Sequence, residues 1–137
     1  MNIIIDTNIL ISAIIKEGFI RYLITDFGLN LLFPELEFRE LENHKEEILK
    51  KAKLSNKEFS ILLLYLLKYI KIIKTEKIIE YREEAKEIIG QFDQEDITFI
   101  AAALAFNGII WSEDKHFKMQ NKIKVLNTKE IIALLKQ

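Results

Sequence analysis

The chain has 137 residues, half of them apolar and 30% charged, with a formal net charge of −1. That length and balance fit one globular domain spanning residues 1–137 and exclude a disordered polymer. The near-neutral charge means that any polyanion must be gripped by a local basic patch, and the lack of cysteine rules out a disulfide framework or a thiolate metal site.

The opening MNIIIDTN carries neither the basic region nor the cleavage pattern of a secretory leader, so a cytoplasmic location is expected. Ile3-Ile4-Ile5 reads as a buried strand with Asp6 at its end, and Asn8 is a suitable N-cap for an apolar helix over Ile9–Ile15. Gly18 breaks that helix. A second helix is expected over Phe19–Phe27, closed by Gly28. Leu31-Leu32-Phe33 is a short strand ending at Pro34, and the charged run Glu35–Lys53 follows with helical spacing. Ser55 and Glu58 form a capping box that opens a helix over Lys57–Tyr69. Within it Phe59–Leu67 falls well short of the about 20 apolar residues a bilayer span needs. No membrane partner is expected. A helix apolar on nearly every side is either an internal core helix, which is the reading favoured here, or the seam of a homodimer.

Ile70–Lys74 alternates like a strand near a sheet edge, and Thr75–Ile89 is charged and helical. Next comes DQEDITFIAAALAFNGIIWSEDKHF, from Asp93 to Phe117. Its apolar residues recur at helical steps until Asn107-Gly108, and Ile109-Ile110-Trp111 is a further buried strand that stops at Ser112-Glu113-Asp114. Ile123–Leu126 reads as a strand, and Thr128 caps a last helix to Leu135. Strands alternating with helices imply an α/β architecture with a central parallel sheet of four or five strands.

In a parallel sheet, strands end and helices begin on one edge, so Asp6, Asp96 and Asp114 are expected to share a cleft there. A fourth acid should come from the helix after the second strand, where Glu35, Glu37, Glu40 and Glu42 all qualify. Four carboxylates cannot all ionise in one cleft without a counter-charge. Hard oxygen donors without cysteine or paired histidines suit Mg²⁺ or Mn²⁺ and not zinc. Such ions favour in-line displacement at phosphorus, so phosphodiester hydrolysis is the chemistry this pattern fits best.

Three blocks carry a resemblance. Ile3-Ile4-Ile5-Asp6-Thr7-Asn8 is similar to the opening signature of PIN-domain nucleases. Pro34 followed by Glu40-Leu41 resembles that family's second acidic position. Asp96 and Ser112-x-Asp114, separated by an alanine-rich helix, resemble its third and fourth acids. The resemblance runs from the first strand to the last helix and implies a three-layer α/β/α PIN-like fold. It also implies a metal-dependent ribonuclease with Asp6, Glu40, Asp96 and Asp114 as catalytic metal ligands and Asn8, Asp93 and Ser112 in support. Compact members include VapC-type toxins, so an antitoxin protein enters as a partner. The extra Asp93 and the form WSEDKHF look more like a subgroup of archaeal-type PIN proteins.

Lys115 and Lys118 open a stretch from 115 to 129 without an acid, and they could hold the RNA backbone beside Asp114. Trp111 is read as core and His116 as exposed. Two alternatives compete. A metal-free interaction module would keep the fold without the chemistry. An aspartate-based phosphatase would need a second Asp two residues after Asp6, and Asn8 stands there, unable to give and recover a proton.

Overall fold

The computed structural model describes residues 1–90 and 93–137. At its centre lies β1 (Asn2–Ile5), whose three isoleucines are all buried. An unbroken apolar run of this kind is what a strand covered on both faces requires. It pairs in parallel with β2 (Asn30–Pro34) on one side and β4 (Ile109–Trp111) on the other. β3 (Ile70–Ile73) and β5 (Val125–Leu126) complete the parallel sheet, in the order β3-β2-β1-β4-β5. The order reverses between β1 and β4, which puts a crevice at the carboxyl ends of those two strands. In register, Ile5 stands opposite Trp111, so Asp6 and Ser112 leave the sheet side by side.

Helices cover the sheet. α1 (Thr7–Ile15) packs with α2 (Phe19–Asp26), α4 (Lys45–Ala52) and α5 (Asn56–Leu67). α7 (Gln94–Phe106) lies against β1, β2 and β4 and beside α6 (Arg82–Ile89). Its residues Ala101, Ala102 and Ala103 are buried, and their small side chains let the helix settle closely on the strands. The far end of α7 is fixed by Asn107 in the left-handed conformation (φ 49°) and by the Gly108 N–H donating to the Ala103 carbonyl at 2.9 Å. Gly108 also has to be small, because a Cβ there would lie 2.9 Å from the Asn2 carbonyl oxygen. α8 (Thr128–Leu135) follows β5.

Several expectations shift. The expected helix over Glu35–Lys53 is a 3₁₀ turn (Glu35–Glu37), α3 (Phe38–Asn43) and α4, with His44 as the joint (φ −95°, ψ 1°). Charge periodicity cannot register such a break, because both halves keep helical spacing. Thr75–Ile89 likewise begins as two 3₁₀ turns before α6. Asp6, not Asn8, caps α1, accepting the Ile9 N–H at 2.9 Å. Asn127, not Thr128, caps α8 through a capping box with Glu130. α5 is not an internal helix: Phe59 and Leu66 are buried, while Ile61, Leu64 and Tyr65 face outward. Among the described residues no helix is long and apolar enough to cross a membrane.

Candidate active site

A cleft of about 240 Å³ lies at the carboxyl edge of β1 and β4, and Asp6, Glu40, Asp96 and Asp114 all line it. Each arrives by a different route. Asp6 ends β1 and sits buried, its Oδ1 taking the Ile9 N–H as the cap of α1. Its Oδ2 accepts a hydrogen bond from the Ser112 hydroxyl, and the same hydroxyl oxygen accepts the Asp114 N–H at 2.9 Å. Ser112, itself buried, thus clips the two strand ends together. Asp114 is exposed and caps a short 3₁₀ turn (Lys115–Met119) by accepting the His116 N–H at 2.9 Å.

Asp96 stands in the first turn of α7 without capping it. Asp93 performs that task, accepting the Glu95 N–H at 2.9 Å, which leaves the Asp96 carboxylate to the cleft. Its Oδ2 lies 3.4 Å from His116 Nδ1. Glu40, on α3, has its Oε1 2.7 Å from His44 Nε2. His116 is therefore more than a surface residue, and both histidines touch cleft acids. Asn8 is exposed at the rim. Trp111 is fully buried, and its Nε1 donates to Thr128 Oγ1 at 3.0 Å. Lys115 and Lys118 are not among the residues lining the cleft, and Lys118 pairs with Glu130.

The electrostatics record the crowding. Burial pushes the Asp6 carboxyl up to about 6, against the pull of Ser112 and the Ile9 N–H, and nearby Asp114 adds to the rise. Burial, with Asp93 and Asp114 close by, also raises Asp96. Phe99 and Phe117, edge to face at 6.2 Å, form an apolar wall of the same cleft. Glu95 went unremarked in the sequence. It lines the cleft and hydrogen-bonds Glu40, and burial followed by that contact pushes it up to about 8. Glu40 is correspondingly lowered, by the Glu95 hydrogen bond first and His44 after it. The available signal was simple: Glu95 shares the acid-rich first turn of α7 with Asp96.

Whether these residues suit a divalent ion can be judged from their chemistry. The acidic donors are all oxygens, the kind hard cations take. Thr7, buried next to Asp6 and lining the same cleft, has a hydroxyl with no hydrogen-bond partner among the described residues, the sort of orphan an ordered water or ion satisfies. Among the described residues no three acidic or imidazole side chains are drawn closely enough to enclose an ion as they stand. Their present partners, Ser112, His116 and His44, take up the carboxylates instead.

A family model described as PIN domain matches residues 4–136. In three dimensions the chain is similar to a chain of the crystal structure of VapBC2 from Rickettsia felis bound to a DNA fragment from their promoter. The two share 18% identity at a TM-score of 0.74, over 93% of this chain and 98% of that one. Such a likeness bears on the fold alone. No curated protein matches the chain.

Proposed function

This chain belongs to the PIN-domain family, and we propose that it is a divalent-metal-dependent endoribonuclease. Members of this family are in general hydrolytic nucleases that use divalent ions. The observation that carries the proposal is the meeting of Asp6, Glu40, Asp96 and Asp114, from four separate stretches of chain, in one cleft. These four would hold Mg²⁺ or Mn²⁺, with Ser112 and Asp93 as supports and Asn8 at the rim. A bound ion would supply an activated water and neutralise charge at the phosphate.

The chain's own contributions follow from the geometry. Ser112 holds Asp6 in place, and Asp93 takes over the capping of α7 so that Asp96 is free. Phe99 and Phe117 keep water from one side of the cleft, which strengthens every charge interaction within it. Glu95, raised by burial and by its contact with Glu40, hydrogen-bonds that carboxyl at the cleft edge.

The test is titration of Mn²⁺ into the purified chain with RNA as substrate, with Asp6→Asn and Asp96→Asn alongside. Metal-dependent cleavage leaving 3′-hydroxyl and 5′-phosphate ends is expected. Either substitution should lower the rate by about 10³-fold or more while the fold is kept. Hydrolysis of a small phosphomonoester with RNA left intact would overturn the reading in favour of the phosphatase. The likeness to VapBC2 supports a second, contextual reading, that the chain is a toxin restrained by an antitoxin. Induced expression should then arrest growth of a bacterial host, and Asp6→Asn should abolish the arrest.

A further inference from the structure

Beside the acidic cleft runs a larger groove of about 790 Å³, which shares Glu40, Asp93 and Glu95 with it. Two arginines, Arg39 and Arg82, line this groove and not the cleft. Arg82 is the more telling. It opens α6, and its side chain reaches across to α7, donating to Gln94 Oε1 at 2.6 Å and to Thr98 Oγ1 at 3.5 Å. Both acceptors are neutral. Acids surround the groove, yet among the described residues neither arginine forms a close ion pair, although the charge of Arg39 acts on the nearby Glu37 carboxyl. A guanidinium has five N–H donors in a rigid fork. Arg82 is therefore held in orientation while its charge and its remaining donors are left to something outside the chain.

We propose that this groove carries the RNA strand away from the cleft, with Arg82 gripping a phosphate that flanks the scissile one. The proposal rests on the ribonuclease reading above and specifies where that site takes its substrate. The position of Arg82 decides which phosphate it serves. Gln94 and Thr98 lie one turn apart on a single face of α7, and Asp96 lies around the helix from them. Arg82 and the Asp96 carboxylate are thus separated by roughly a helix diameter, about 10 Å. That is too far for both to hold one phosphate and suits a neighbouring one. Arg39, exposed on the opposing α3 wall, faces the same strand with a freer side chain. Glu37 and Glu42 also line the groove. Together with Glu40, Asp93 and Glu95 they set five carboxyl side chains against two arginines; that charge works against a polyanion, so the arginines carry the attraction, and the strand binds by its backbone at two points.

The experiment measures binding of a fluorescently labelled single-stranded RNA oligonucleotide to the full chain. It uses an Asp6→Asn background that prevents turnover, with Mn²⁺ present, over a series of salt concentrations. Arg82→Gln should weaken binding several-fold and reduce the slope of log affinity against log salt by about 0.7, the value of one single-strand phosphate contact. Arg82→Lys should restore the slope, which a purely structural bond to Gln94 and Thr98 would not require. Arg39→Gln, on an exposed side chain that cannot unfold the protein, should act in the same direction and more weakly. In the otherwise unaltered enzyme, Arg82→Gln should raise KM for RNA more than it lowers kcat. An unchanged salt slope in both glutamine variants, or a loss that Arg82→Lys does not repair, overturns the assignment. Failure of the nuclease reading appears separately, as absence of metal-dependent cleavage by the unaltered chain.

Discussion

The two ends of α7 meet the same sheet on opposite terms. At the Asn107-Gly108 end the contacts are hydrogen bonds between neutral groups. Asn2 Nδ2 donates to the Phe106 carbonyl at 2.7 Å, Asn30 bonds Asn2, and the Gly108 N–H returns to Ala103. At the Asp93 end the polar groups are acids with raised carboxyls, pressed against one another and against phenylalanine. One end ties the helix to the strands; the other stores repulsion that a bound cation would release. Close packing and crowded acids are segregated along a single element, so substitutions at the two ends should move stability in opposite directions.

Asp6→Asn should sharpen the contrast most. Its folded-state carboxyl titrates at about 6 against 3.8 unfolded. As pH rises from below 4 to above 6 the unfolded chain releases its proton first, so this group lowers stability across that window by up to about 3 kcal/mol. Asparagine keeps the capping oxygen and cannot ionise. In metal-free urea unfolding, the variant should therefore exceed the parent at pH 8 by up to that amount and lose its advantage near pH 4. An equal difference at both pH values would break the comparison. Gly108→Ala, at the opposite end, should cost about 1–3 kcal/mol at any pH, because its Cβ would press on the Asn2 carbonyl. Its thermal midpoint is the readout, and an unchanged midpoint would show that the approach is not tight. Thr7→Val, which removes the orphaned hydroxyl at nearly constant shape, should gain about 1 kcal/mol in metal-free protein. It should also weaken Mn²⁺ binding followed by calorimetry.

The sheet and the acids were legible in the sequence because both follow from strong local patterns. Ile3–Ile5 and Ile109–Trp111 are apolar runs with an acid or Ser just beyond, and a parallel sheet leaves them one arrangement. The expected fold and the family resemblance hold. What stayed hidden is decided by geometry finer than periodicity. Asn8 and Thr128 read as caps, yet Asp6 and Asn127 take those positions, because a cap is chosen by one residue's φ and ψ. The joint at His44 interrupts no hydrophobic pattern. The outward face of α5 is apolar, so burial could not be read from its composition. Arg82 and Glu95 gave no motif. Their significance comes from what lies across from them, on α7 for the arginine and on α3 for the glutamate.

The bond from Ser112 to Asp6 joins residues 106 positions apart in the chain. β1 is an inner strand whose second neighbour, β4, emerges about a hundred residues after it during synthesis. A product cut short before Ile109 would still bear Asp6, Glu40 and Asp96, yet it would lack the strand that sets Ser112 and Asp114 beside them. Long-range pairing of this kind is slow to form. On the nuclease reading proposed above, nascent and truncated copies would lack the assembled cleft, and a cell would meet its activity only after the closing strand has slotted in.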